Sequence, residues 1–263
     1  MRLEQITNNF SKKASNYNSK AVMQKEIAEK LALFLPDKEY KTILDVGCGT
    51  GFLTKLLRQK YPNSTIIGVD IAPAMIEIAK ENVPDAEFRC CSIYEIEDLK
   101  NQFDLVVSSS ALHWMHDLSE CFAILHDILV PNGEIITAIF VDESLFELKD
   151  SFNYAYENTR IKKKKHVIDF PKSQEVIEDL SKKFELLFNE KIAYFLNYSS
   201  AKNSIKAIRE IGGNYSYLYN QSFTERKTIF STVFTYYDKK YRGTADTVIQ
   251  SWEILMLGAK RNG

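Results

Sequence analysis

Strand and helix patterns alternate along the first half of this chain, and that rhythm restricts the fold more than any other feature. Short runs rich in β-branched residues occur at "KTILDV" (41–46), "STIIGVD" (64–70), "AEFRCC" (86–91), "FDLVVSS" (103–109) and "GEIITAIFV" (133–141). Helical periodicity falls between them near 51–60, 73–82 and 117–129. Strand and helix in turn, at this spacing, predict a parallel sheet with helices on both faces. The strands read as nearly continuous apolar runs, as strands covered on both sides do. Pro131-Asn132-Gly133 is expected to stop the third helix and turn the chain into the fifth strand.

Beyond residue 142 the rhythm changes. Longer helical patterns dominate (145–157, 173–182, 200–211 and 224–237), with two strand candidates at 184–196 and 246–259. An antiparallel pair closing the sheet, with helices inserted before and between its members, fits this order. At 263 residues the chain can build one large core carrying an inserted lid. A content of 45% hydrophobic and 26% charged residues is that of an ordinary globular protein. The net charge of -1 argues against a protein built mainly to hold nucleic acid. The start, "MRLEQITNNFSKK", has no apolar stretch of signal-peptide kind, and no run is long enough to span a bilayer, so a cytoplasmic location is the expectation. Cys48, Cys90, Cys91 and Cys121 make no C-x-x-C pair and the four histidines complete no zinc pattern, which predicts free thiols and no metal.

The stretch "ILDVGCGTGFLTKLL" places Gly47, Gly49 and Gly51 at the end of the first strand, where open α/β sheets bind ligands. A dinucleotide fingerprint G-x-G-x-x-G would need a glycine at position 52, which is Phe52. Here the spacing is G-x-G-x-G, with Asp45 two residues ahead. A second acid, Asp70, ends the second strand in "IIGVDIAPAMI", where a carboxylate can accept hydrogen bonds from both hydroxyls of a ribose. The alternative is a turn rich in glycine for close strand–helix packing, with Asp70 as a helix cap.

On "LDVGCGTG", "GVDIAPAMIEIAKEN", "FDLVVSSSALHW" and "LVPNGEIITA" the chain resembles the class I S-adenosylmethionine-dependent methyltransferases over residues 40–141. The resemblance implies an α/β fold: a Rossmann-like sheet, mostly parallel, with an antiparallel closing hairpin and a helical lid insertion. It divides the chain into an N-terminal helical cap (1–40), a cofactor-binding core (41–141) and helices with a strand completing the core (142–198). A helical substrate lid (199–243) and a final strand (244–263) follow. S-adenosylmethionine is the implied cofactor. The residues implied to hold it are Asp45, Gly47, Cys48, Gly49, Gly51, Asp70, Ile71, Met75, Ser92, Ile93 and Ser108, with backbone at the glycines approaching its methionine part, Asp70 on its ribose and Ile71 beside its adenine. The family's usual "GD" after the third strand is here Cys91-Ser92, so Ser92 would have to accept the adenine amino hydrogen bond.

The flanks bear on the methyl acceptor. "FSKKASNYNSKAVMQKEIAEKLA" reads as an amphipathic helix preceded by a polar stretch with Tyr17, either closing over the cofactor or merely covering the sheet. "SFNYAYENTR", "SIKAIREIGGNYSYLYN" and "FSTVFTYYDKKYRGTADTVIQSWEILMLGAKR" are similar, in order, to the malonyl-acyl carrier protein O-methyltransferases of biotin synthesis. The pattern Phe10, Ala14, Tyr17 and "SSALHWMHDLS" agree with that family as well. The resemblance implies methylation of the free carboxylate of a malonyl thioester on an acyl carrier protein, or on coenzyme A, by a monomer. His113, Trp114 and Tyr17 would then shape the place where methyl and acceptor meet. A carboxyl with a pKa of about 4 is ionised at neutral pH and needs no general base, and no Ser-His-Asp or metal constellation is evident.

Lys206 and Arg209, one helical turn apart, are the candidates for holding the substrate carboxylate, or else both point into water. Between 199 and 243, Lys202, Lys206, Arg209, Arg226, Lys227, Lys239, Lys240 and Arg242 outnumber Glu210, Glu225 and Asp238, a basic surface suited to an acidic carrier. "KKKK" (162–165) could extend it, although such a run is more often only a solvated face. Tyr215, Tyr217 and Tyr219 could line a channel for a thioester arm. Rival readings are O-methylation of a free polycarboxylic acid, C-methylation of a quinone or sterol precursor, and a cofactor-binding regulator without activity. A nucleic-acid methyltransferase is disfavoured, since "SSSALHW" stands where an N-P-P-Y-type motif would.

Overall fold

A computed structural model describes residues 3–96, 99–212 and 222–262. Strands β1 (Thr42–Val46), β2 (Thr65–Asp70), β3 (Glu87–Cys90), β4 (Phe103–Ser109), β5 (Leu129–Phe140), β6 (Phe184–Tyr198) and β7 (Val248–Arg261) form a seven-stranded sheet in the order β3-β2-β1-β4-β5-β7-β6. The first five strands run parallel, and β7 lies antiparallel between β5 and β6. Ile43, Leu44, Leu105, Val106 and Val107 are fully buried, as the continuous apolar runs predicted.

The fifth strand departs from its expected start. Helix α6 (Leu118–Ile128) ends before the proline, and β5 begins at once with Leu129. Phe103 pairs with Leu129 and Leu105 with Glu134, so "VPNG" bulges out of the ladder. Pro131 and Asn132, which is at φ 65°, suit a bulge better than regular pairing.

Helices α4 (Phe52–Lys60) and α5 (Pro73–Asn82) follow β1 and β2. The N-terminal region is three helices, α1 (Leu3–Ser11), α2 (Ala14–Lys20) and α3 (Val22–Leu33), so the polar stretch around Tyr17 is itself helical. Serine and asparagine give α2 little intrinsic helix preference. Packing holds it instead: Ala14 is buried against Ala72 and Met75, and Lys25 donates to the Asn18 carbonyl (2.6 Å).

A second layer consists of α7 (Phe146–Glu157), α9 (Ala201–Glu210) and α10 (Phe223–Lys240), while α8 (Ser173–Ser181) packs near α6 and β6. Tyr154 stacks on Tyr236 with centroids 3.8 Å apart, Phe152 meets Phe230 edge-on, and Asp150 accepts from Lys240 and Tyr241. Helix α7, assigned from sequence to completing the core, packs against α10, part of the segment expected to form the lid. Tyr215, Tyr217 and Tyr219 lie outside the described residues. Among the described residues no helix is long and apolar enough to cross a membrane.

Candidate functional site

The three loop glycines have three different neighbours. Gly47 and Cys48 donate their N–H groups to the Val69 carbonyl (2.8 and 3.1 Å), folding the loop over the end of β2. A Cβ on Gly47 would lie 2.2 Å from the Ala111 Cβ, and one on Gly51 would lie 3.3 Å from Ala79 on α5. A Cβ on Gly49 would meet no protein atom within 4 Å, because this residue borders open space. Only Gly49 is thus bare for a guest; Gly47 and Gly51 are bare for the chain's own packing.

That space is a cleft of about 680 Å³ at the C-terminal ends of the parallel strands. Asp70 at its edge is locked by two backbone donors, Gly49 N–H to Oδ2 (3.0 Å) and Ala72 N–H to Oδ1 (2.8 Å). Each carboxylate oxygen keeps a lone pair for a further donor. Ile71, Met75, Ser92 and Ile93 also line the cleft. Ser92 caps the short 3-10 turn Ile93–Glu95, its N–H donating to Glu95 Oε2 at 2.7 Å. Asp45 is buried and accepts from Thr54 at 2.7 Å, while its Oδ1 has no partner. It lines a small recess that shares Tyr17, Gly47 and Gly49 with the cleft. Burial pushes its carboxyl from 3.8 up to about 7, against the Thr54 hydrogen bond and helped by the charge of Asp70.

The other end of the cleft is aromatic. The His113 ring packs among Phe140 (4.9 Å), Trp114 (5.2 Å) and Phe170 (5.7 Å), and its Nδ1 has no partner. Burial lowers its pKa to about 3, so it is a neutral imidazole at physiological pH. Phe10 meets Trp114 edge-on at 5.6 Å and Tyr17 at 6.4 Å, so the N-terminal helices form one wall. Burial, then the charge of Asp70, raises the Tyr17 phenol, which stays protonated. Thr50 donates to Asn18 Oδ1 (2.6 Å), tying α2 to the glycine loop.

Several expected contacts lie elsewhere. Ser108 is fully buried and donates to the Val46 carbonyl (2.8 Å); Ser109 and Ser110 line the cleft instead, Ser110 with φ 58°. Cys48 borders only the small recess, and Gly51 neither space. Neither Lys206 nor Arg209 is among the described lining residues. Ala201, Ser204, Ile205 and Ile208 form the buried face of α9, which turns Lys206 toward Glu210 (3.8 Å) and Arg209 over the Phe230 ring (5.8 Å). The cation the structure does place on the cleft is Lys165, the last of the four consecutive lysines, together with Ile168 and Asp169.

The residues present fit a cationic nucleoside such as S-adenosylmethionine: an open cradle at Gly49, an oriented carboxylate at Asp70, and a buried, half-satisfied acid at Asp45. Residues 43–133 match the sequence family described as a methyltransferase domain. A malonyl-[acyl-carrier protein] O-methyltransferase of Ilyobacter polytropus is 30% identical over 91% of this chain and 86% of its own length. The chain belongs to the class I S-adenosylmethionine-dependent methyltransferases. A second relative of the same name, from Acetivibrio thermocellus, is 34% identical over 79% of this methyltransferase and 77% of its own length. Among solved structures, a protein from Bacillus halodurans has TM-score 0.65 at 13% identity, covering 90% of this chain and 100% of its own. Geranyl diphosphate methyltransferase in complex with S-adenosylmethionine has TM-score 0.53 at 14% identity, covering 90% and 85%. At such identities the structural likeness bears on the fold alone, and S-adenosylmethionine is the cofactor of the methyltransferase class.

Proposed function

We propose that this methyltransferase esterifies the free carboxylate of a malonyl thioester carried on an acyl carrier protein. The observation that carries the proposal is the extent of the likeness. Two relatives named for that activity match 91% and 79% of this chain, far more than the cofactor-binding segment 43–133. Bound S-adenosylmethionine supplies an electrophilic methyl on a sulfonium. The chain's residues have a modest task beyond that. A carboxylate oxygen is already a nucleophile, so nothing must remove a proton, and a neutral His113 beside the acceptor is compatible with this. The aromatic wall of Phe10, His113 and Trp114 excludes water and aligns the reactants, and alignment of this kind contributes roughly 7–11 kcal/mol.

Intact-protein mass spectrometry tests the reading. Purified enzyme and S-adenosylmethionine are offered malonyl-acyl carrier protein, malonyl-coenzyme A and free malonate. A gain of one methyl, fastest on the carrier thioester, supports the proposal. Preference for free malonate would move the assignment to a free-acid methyltransferase, and transfer to none of the three would sink the malonyl reading.

A further inference from the structure

Among the described residues lining the cleft, the lysines and arginines number one, Lys165. It lies in the irregular segment between α7 and α8, and its ammonium donates to the carboxylate of Asp169, also a lining residue. The next residue fixes where this pair stands. The Phe170 ring lies 5.7 Å from His113, 6.1 Å from Phe140 and 6.2 Å from Trp252, so the segment walls the acceptor end of the cleft. A neighbouring cation, Lys149, sits over Phe170 at 5.1 Å, but it donates to the Asp142 carbonyl and does not line the cleft. The Asp169 side chain is 80% exposed and that of Lys165 40%, and an exposed pair of this kind is weak and readily exchanged.

We propose that Lys165 anchors the carboxylate of the methyl acceptor, and that Asp169 is the resting partner this carboxylate displaces. The inference rests on the carboxyl-methylation reading above. Exchanging one carboxylate for another keeps the ammonium paired, and the displaced Asp169, 80% exposed, is left to water. A single-point ammonium also leaves one carboxylate oxygen unengaged, where a guanidinium fork would hold both. In the reaction a carboxylate oxygen forms a bond to the methyl carbon while the carbon–sulfur bond breaks and its electron pair stays on sulfur. The product is a neutral ester with no charge to offer Lys165, and Asp169 recovers the ammonium. The pair thereby distinguishes acid from ester and favours product release.

The test compares wild type, Lys165→Met and Asp169→Asn for KM and kcat with malonyl-acyl carrier protein, for inhibition by the methyl ester product, and for cofactor affinity as a control on folding. Lys165→Met is expected to raise KM by about 10-fold, the loss of one charged hydrogen bond, with cofactor affinity unchanged. Asp169→Asn is expected to do the opposite, lowering KM and making the ester a stronger inhibitor. A pair that served only structure would shift both variants in the same direction. If wild type turns over the carrier substrate and Lys165→Met has the same KM, the anchor is overturned while carboxyl methylation stands. If wild type methylates no malonyl acceptor, that reading falls, and calorimetry of free malonate on the S-adenosylhomocysteine complex decides the anchor. Malonate binding weakened in Lys165→Met and tightened in Asp169→Asn supports it; equal or absent binding in all three overturns it.

Discussion

At the loop glycines, one added methyl group separates stability from binding. All three have positive φ, so alanine at any of them carries a strain of about 1–2 kcal/mol. Gly47→Ala adds an overlap with Ala111, worth a further 1–3 kcal/mol or so. Its melting temperature should therefore fall by roughly 5–15 °C in thermal denaturation followed by circular dichroism. Gly49→Ala should melt within about 5 °C of wild type yet bind S-adenosylmethionine more than about tenfold more weakly by calorimetry, since its Cβ meets no protein atom and would project into the open cleft. Asp45 makes a second residue-scale prediction. Its carboxyl holds a proton up to about pH 7 in the folded protein, whereas the unfolded chain releases it near 3.8. The folded state thus binds more protons across that interval, and Asp45's contribution to stability without cofactor declines as pH rises through it. A bound cation favours the ionised carboxylate, so cofactor affinity should increase from pH 6 to 7.5. In Asp45→Asn that increase should vanish from calorimetric titrations.

The elements around the sheet explain which site residues could be read in advance. At the N-terminus only the family resemblance marked Phe10, Ala14 and Tyr17, since the stretch around Tyr17 reads as polar; in the structure all three pack toward α5 or the cleft. Phe10→Ala should destabilise the protein by roughly 1–2 kcal/mol, because the ring is only partly buried. Its removal should also redden the emission of Trp114, which loses an edge-on neighbour and gains water; an unchanged spectrum would mean that α1 does not shield the site. Helix α9 shows the converse. The buried Ala201, Ser204, Ile205 and Ile208 form a readable apolar stripe, and that stripe alone places Lys206 and Arg209 on its far side. The spacing of two cations showed that they share a face, whereas only the apolar residues could show which face. Lys165 had no comparable signal. Its segment lacks regular structure, and it reaches the cleft only because Phe170 packs against His113, Phe140 and Trp252, from three distant parts of the chain.

Across the whole molecule, the sheet was legible because strands buried on both faces must be apolar throughout, and the β-branched runs at 41–46, 64–70 and 103–109 leave no other reading. Less visible was the division of labour between β6 and β7. These strands pair from Phe184↔Arg261 to Tyr198↔Val248, so residues 199–247 leave the sheet and return to it at one point. Topologically this insertion is the loop of a very long hairpin. Relative to a turn of about four residues, closing an insertion of this length costs only about 2 kcal/mol of chain entropy, since each doubling adds about 0.6 kcal/mol. Replacing residues 199–247 with a short Asn-Gly turn would keep the β6–β7 register possible but would strip Ala201, Ile205, Ile208, Ile229, Val233 and Tyr237 from the main apolar core, so the variant should melt far below wild type in thermal denaturation. The sheet itself behaves as a socket. Because the insertion leaves at Tyr198 and returns at Val248, its length can vary without renegotiating a single strand pairing.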